Sequence, residues 1–275
     1  STDEGITWSS PRRLVTSPFL NISTLVKGAP VFYQSGQIGL PVYHEFFSKF
    51  AEILRISPDG QLLDKIRIPG SQTSLQPVVL VAGPQRAQVY MRSGRGTAVM
   101  TSETADAGKT WSATRATTLP NPDSALAGVV TGAGPEWLAL NTNPQNREIL
   151  ALLQTRTAGS FDGASRWIVE ASPKPGTQLS VSEYERLLGG ELMVSGASQA
   201  QVQAYVESAK RQLCGRETCL QEFSYPYLLQ SRDGYLHLVY TWHRSRIKHV
   251  RLDPMQALQS DPGSPDSTHA APAAH

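Results

Sequence analysis

Cysteine is scarce in this sequence, with two in 275 residues, Cys214 and Cys219. That scarcity excludes a disulfide-built scaffold and a multi-cysteine zinc site, and the spacing is not that of a C-x-x-C redox motif. The pair either closes a small loop in an oxidising compartment or is two unrelated thiols. Charge of one sign is also lacking. Lys and Arg number 25 against 23 Asp and Glu, a formal net charge of +2. Nothing in that balance points to a nucleic acid or an anionic membrane as partner. No apolar run approaches the roughly 18 residues of a membrane-spanning helix, and the first residues show no signal-peptide pattern. No His, Cys, Asp or Glu cluster has metal-ligand spacing, so neither a metal nor a cofactor is expected.

Turn formers, by contrast, are plentiful: 22 Gly and 19 Pro, as many short strands joined by turns require. An internal repeat organises them. Ser1-Thr2-Asp3-Glu4-Gly5-Ile6-Thr7-Trp8 returns as Thr104-Ala105-Asp106-Ala107-Gly108-Lys109-Thr110-Trp111. It returns again, eroded, as Ser160-Phe161-Asp162-Gly163-Ala164-Ser165-Arg166-Trp167, and Ser57-Pro58-Asp59-Gly60 is a weaker turn between the first two. The aspartates at 3, 59, 106 and 162 stand 56, 47 and 56 residues apart, close to the roughly 40–50 residues of a propeller blade. In such a turn Asp accepts backbone N–H groups, Gly supplies a conformation other residues resist, and Trp packs into a seam between sheets. Asp3, Asp106 and Asp162 are therefore read as structural turn formers and not as catalytic acids.

Between the turns, 51–56 and 62–68 form a hairpin around Pro58-Asp59-Gly60. Residues 77–81 pair with 87–91, 227–230 pair with 235–240, and 247–252 add a further strand. Blades begin near Ala29, Ser74, Asp123 and Glu222. One stretch breaks the pattern: from about Ser180 to Leu213 the sequence is helical. Ser182 with Glu185 makes a capping box, and Val202, Tyr205, Val206, Ala209 and Leu213 recur at helix spacing. The Ser/Pro/Ala/His composition after about Gln256 reads as a disordered tail, over 255–275. The expected fold is an all-β propeller, of which about four blades and one strand lie within 1–254, with at least one blade expected upstream.

Those repeats resemble the Asp boxes of the sialidase superfamily, and the order of other segments sharpens the likeness. Val89-Tyr90-Met91-Arg92-Ser93-Gly94-Arg95-Gly96 precedes the second box, where sialidases place an active-site arginine. Leu119-Pro120-Asn121-Pro122-Asp123-Ser124 follows it as a prolyl-asparagine turn. Asn141-Thr142-Asn143-Pro144-Gln145-Asn146-Arg147 is similar to the segment that carries another active-site arginine. Ser224-Tyr225-Pro226-Tyr227-Leu228 stands where the family has its nucleophilic tyrosine. The BNR-repeat-like branch shares Leu40-Pro41-Val42-Tyr43-His44-Glu45-Phe46 and the segment from Tyr240 to Val250, Tyr-Thr-Trp-His-Arg-Ser-Arg-Ile-Lys-His-Val.

The resemblance implies a six-bladed β-propeller and a glycosidase acting on a terminal acidic sugar of a glycoconjugate, sialic acid by default, in a periplasmic or secreted bacterial protein. Arginines would grip the sugar carboxylate with planar forks. A neutral tyrosine would approach the anionic substrate without repulsion, assisted by a base. Arg92 and Arg147 are the expected substrate-binding arginines, with Arg95 competing for the role of Arg92, and Tyr225 is the expected nucleophile. Two departures stand out. The family's acid and first arginine are expected upstream, and Gln76 occupies the place of the base glutamate, sixteen residues before Arg92. An amide cannot take a proton, so Gln76 is read as a substrate contact and His44 and Glu45 as candidates to assist Tyr225. Each has a plain alternative: strand-end arginines on the surface, a core tyrosine, a satisfied buried histidine. Lys248 and His249 are expected to decorate an edge strand. The alternatives to hydrolysis are a non-catalytic carbohydrate-binding propeller, or a hydrolase or lyase for another sugar on the same scaffold.

Overall fold

A computed structural model of the chain describes residues 1–254 apart from 12, 17–23 and 133. The tail expected over 255–275 lies outside the described residues. Four antiparallel sheets follow one another in chain order. In the first, β1 (Leu25–Val26) and β2 (Val31–Phe32) share one edge of β3 (Ile38–His44), and β4 (Phe50–Ile56) and β5 (Leu62–Arg67) follow. The second is β6 (Ser74–Val81), β7 (Ala87–Ser93), β8 (Ala98–Thr104) and β9 (Arg115–Pro120). The third is β10 (Ala127–Val130), β11 (Glu136–Asn141), β12 (Ile149–Thr155) and β13 (Ser165–Ala171). After an excursion, β16 (Phe223–Gln230), β17 (Leu236–Trp242) and β18 (Arg246–Leu252) make the fourth. This is a four-blade propeller arrangement.

Strand composition follows position in the blade. The middle strands β7 and β11 are buried on both faces, because each is flanked by sheets on two sides and must be apolar throughout. The outer strands β5, β9 and β13 are half exposed and carry Lys65, Arg67, Arg115 and Arg166, charges that discourage edge-to-edge pairing. Apolar clusters fill the seams. Tyr33, Ile53 and Ile68 meet Val79, Val89 and Trp111 between the first and second blades. Val78, Leu80 and Tyr90 meet Leu126, Leu138 and Phe161 between the second and third.

In the turns, Asp3 Oδ1 accepts the Thr7 N–H at 3.0 Å and Asp106 Oδ1 accepts the Thr110 N–H at 2.9 Å. Thr7 Oγ1 and Thr110 Oγ1 donate to the second oxygen of each carboxylate. Asp162 shares with them only the bond from the hydroxyl two residues before it, Ser160 Oγ at 3.2 Å, and accepts instead from Thr118 Oγ1 on β9.

The excursion is two helices, not one. β14 (Leu179–Ser180) pairs with β15 (Thr218–Cys219), and between them run α1 (Val181–Val194) and α2 (Gln199–Leu213). The first cap is Ser180 with Glu183, two residues earlier than the expected Ser182 and Glu185. The reason is that β14 runs straight into the helix, so the last extended residue takes the cap position. Ser198 with Gln201 caps α2 in the same way. Tyr184, Leu188 and Leu192 of α1 and Val206, Ala209 and Leu213 of α2 pack with the third and fourth blades. Val202 and Tyr205 flank that cluster, as the spacing predicts. Cys214 and Cys219 are joined as a disulfide at the foot of α2. Lys248 is no ornament of its edge strand: its Nζ lies 2.5 Å from Glu170 Oε1 and also pairs with Glu191 of α1, fastening the helices to the blades.

Candidate functional site

Gln76, Asp123 and Tyr225 adopt left-handed backbone with φ of 52°, 52° and 53°. Gln76 and Tyr225 stand near the start of the first strand of their blades, and Asp123 lies in the loop that leads into β10. Gln76-Pro77 and Tyr225-Pro226 fall where the register of β6 and β16 slips, between Leu75 and Val78 and between Ser224 and Tyr227. Proline has no N–H to give to the ladder and is at home in such a bulge. Non-glycine residues pay for this conformation with strain, and strain concentrates where a side chain must be aimed. Around Asp123 the Asn121 amide does the aiming: its Oδ1 accepts the Ser124 N–H at 2.9 Å and its Nδ2 donates to Ser124 O at 3.0 Å.

These residues meet the two expected arginines. Arg92, at the end of β7, donates from Nε to Asp123 Oδ1 at 2.7 Å and from Nη1 to Gln76 Oε1 at 3.1 Å. Gln76 Nε2 in turn donates to the Tyr43 hydroxyl at 3.5 Å. Arg147 donates from Nη2 to Asp123 O at 3.0 Å, so one aspartate bridges both guanidinium groups. The loop that delivers Arg147 is folded by Asn141. Its Nδ2 donates to Ile149 O at 3.1 Å and to Phe223 O at 2.8 Å, tying the third blade to the fourth. Arg147 Cζ lies 5.7 Å from the Tyr225 ring centre, within cation–π range.

A buried carboxylate completes the group. Glu222 Oε1 accepts from Ser224 Oγ at 2.7 Å, Arg147 Nη1 at 3.3 Å and Arg244 Nε at 2.9 Å. Glu222 and Ser224 lie two residues apart and so share one face of the strand. Three guanidinium groups, Arg92, Arg147 and Arg244, thus face two carboxylates, Asp123 and Glu222. The cluster carries one positive charge in excess, which favours an anionic ligand. Lys27 stands close by. It donates to Pro226 O at 2.7 Å and also to Leu126 O, linking the first blade to the fourth and third. Burial pulls its ammonium down to about 7.

Other sequence candidates go elsewhere. His44 Nε2 lies 2.7 Å from Glu52 Oε2, and its ring stacks on Phe50, both within the first blade. Glu45 pairs with Lys49 at 3.8 Å and, with Arg95, lines a separate depression with Phe46 and Phe47. Tyr43, not His44, is the residue of that segment that reaches Gln76. Glu222, Arg244, Asp123 and Lys27 were not singled out as site residues by sequence. Glu222 and Ser224 alternate just ahead of Tyr225, and that alternation is the one signal the sequence offered for them. The hydrophobic segment around Lys27 offered none.

A family model described as a BNR repeat-like domain matches residues 1–238. No curated protein matches significantly. Among solved structures, the chain is similar to the intramolecular trans-sialidase from Ruminococcus gnavus, with a TM-score of 0.61 at 16% identity over 95% of this chain and 50% of that one. It is similar to the Hadza microbial sialidase Hz136, with a TM-score of 0.59 at 16% identity over 93% of this chain and 43% of that one. It is also similar to the NanB sialidase from Streptococcus pneumoniae, with a TM-score of 0.57 at 11% identity over 84% of this chain and 31% of that one. The chain therefore spans between about a third and a half of the length of these structures, and at such identity the likeness is one of fold.

Proposed function

The chain belongs to the BNR repeat-like domain family, and from that premise we propose that it is a sialidase-like glycosidase acting on a terminal acidic sugar, sialic acid by default. One observation carries the reading: Arg92 and Arg147 converge on Asp123, and Arg147 lies against the ring of Tyr225. A guanidinium pair of this kind suits a sugar carboxylate, because each planar fork offers two parallel N–H donors. Both arginines keep N–H groups beyond those used by Asp123, Gln76, Glu222 and Ser224 among the described residues. Arg147 Nη1 also leans on Glu222, and that brace holds the guanidinium in place before a ligand arrives.

Tyr225, half exposed beside Arg147, is the nucleophile of this reading. Its hydroxyl gives up its proton as its oxygen bonds to the anomeric carbon and the glycosidic bond breaks, and the departing oxygen takes up one proton. Water then hydrolyses the tyrosyl–sugar bond, leaving its hydroxyl on the sugar and a proton on the tyrosine. Gln76 binds Arg92 and Tyr43, so its part is to orient Arg92.

A second reading is a propeller that binds acidic sugars without cleaving them. It is favoured by the amide at Gln76 and by a Tyr225 hydroxyl that has no hydrogen-bond partner among the described residues. A fluorogenic sialoside separates the two. Hydrolysis predicts release of the fluorophore, lost by about a hundredfold or more in both Arg147→Ala and Tyr225→Phe. Binding without release in the parent protein selects the second reading, and Gln76→Glu is then the variant in which turnover should emerge.

A further inference from the structure

His243 and Arg244 are consecutive non-glycine residues with positive φ, 48° and 52°. Two such residues in a row need support, and the support comes from the helical excursion. Tyr184 of α1 places its hydroxyl 3.1 Å from His243 Nδ1, deep in the interior. Gln212 of α2 donates to the Arg244 carbonyl at 3.2 Å. The His243 N–H donates to Glu222 O at 2.8 Å. Trp242, Phe223 and Tyr184 pack edge-on around the His243 ring, with centres 4.5, 5.0 and 5.3 Å away. The result is to turn Arg244 back over the start of β16, its Nε on Glu222.

A structural ion pair does not account for this arrangement. Glu222 is already matched by Arg147 and Ser224. A second guanidinium on the same carboxylate leaves the cluster with one positive charge in excess, three guanidinium groups against two carboxylates, which an entering anion would balance. Arg244 spends only Nε on the contact. Its terminal nitrogens have no partner among the described residues, and its side chain is 44% exposed.

We propose that Arg244 is a further substrate-binding residue, a third guanidinium for the acidic group of the sugar, and that the α1–α2 hairpin positions it through Tyr184 and Gln212. This inference rests on the acidic-sugar reading of the site. The sequence shows the helices and the Trp242-His243-Arg244 segment separately, and only the fold joins them.

The test is a pair of probes, N-acetylneuraminic acid and its C1-amide, titrated against the protein by calorimetry. The parent protein is expected to favour the acid. Arg244→Ala should lower that preference by about tenfold with affinity for the amide unchanged, and Arg244→Lys should keep part of it. Tyr184→Phe combined with Gln212→Ala should shift the preference in the same direction while the circular dichroism stays that of the parent. A preference undiminished in Arg244→Ala but lost in Arg147→Ala overturns the role of Arg244 and leaves the acidic-sugar site standing. Binding of neither probe by the parent protein overturns both.

Discussion

The left-handed residues at the heads of the blades show how single side chains are aimed. Gln76, Asp123 and Tyr225 each give up about 1 kcal/mol or more of backbone preference to reach the same cluster. Arg92, Arg147 and Tyr225 were legible in the sequence because each sits in a short motif. Asp123 and Arg244 lie in such motifs too, but their parts depend on Arg92, Arg147 and Glu222, which only the fold brings to them, and Glu222 stands in no motif. Turn aspartates allow a further test at this scale. Burial opposes ionisation of Asp106, but hydrogen bonds from the side chain and backbone of Thr110 outweigh it and hold the carboxyl down at about 2. The sign follows from linkage: the unfolded carboxyl, at an ordinary 3.8, binds the proton first. The stabilisation is therefore full above about pH 4 and drains away as pH falls towards about 2. Asp106→Asn should flatten that limb of the urea midpoint against pH, and a limb of unchanged slope would remove the turn clamp from the account.

At the level of elements, the helical hairpin joins local signals to a tertiary role. Helix over about 180–213 and the apolar face of α2 are legible from 3.6-residue periodicity, whereas the break into two helices is not, and the first cap stands two residues earlier than expected because the short pairing of β14 with β15 leaves no periodic trace. The joint with the fourth blade runs through His243, which is 1% exposed. Burial, with help from Lys248 and Arg246, holds its imidazole down at about 3. A histidine kept neutral in the fold and free to protonate when unfolded contributes stability that is full above about pH 6.5 and falls as pH drops towards 3. Between pH 7.5 and 5 the loss is about 2 kcal/mol. His243→Asn, which tolerates the left-handed backbone, should lower stability at pH 7.5 and make it nearly level across that interval in denaturant melts. A slope equal to that of the parent protein would assign the pH dependence to other groups.

Across the whole molecule, the seams between blades are the expected seat of stability, since middle strands such as β7 and β11 bury both faces only by pressing on neighbouring blades. The repeated turn offers an internal control for that claim. Trp8 and Trp111 hold the same place in two copies of one motif, with the same Asp–Thr hydrogen bonds. Trp111 is 6% exposed, wedged between the first and second blades, while Trp8 is 78% exposed. If the turn itself were the source of stability, alanine at either position would act alike. If the seam is the source, Trp111→Ala should cost about 3–5 kcal/mol, as for a large aromatic removed from a core. Trp8→Ala should then stay within about 0.5 kcal/mol. Denaturant midpoints of the two variants decide it. Equal losses would locate stability in the hairpins, and the seam at Trp111 would then be a consequence of closure between neighbouring blades.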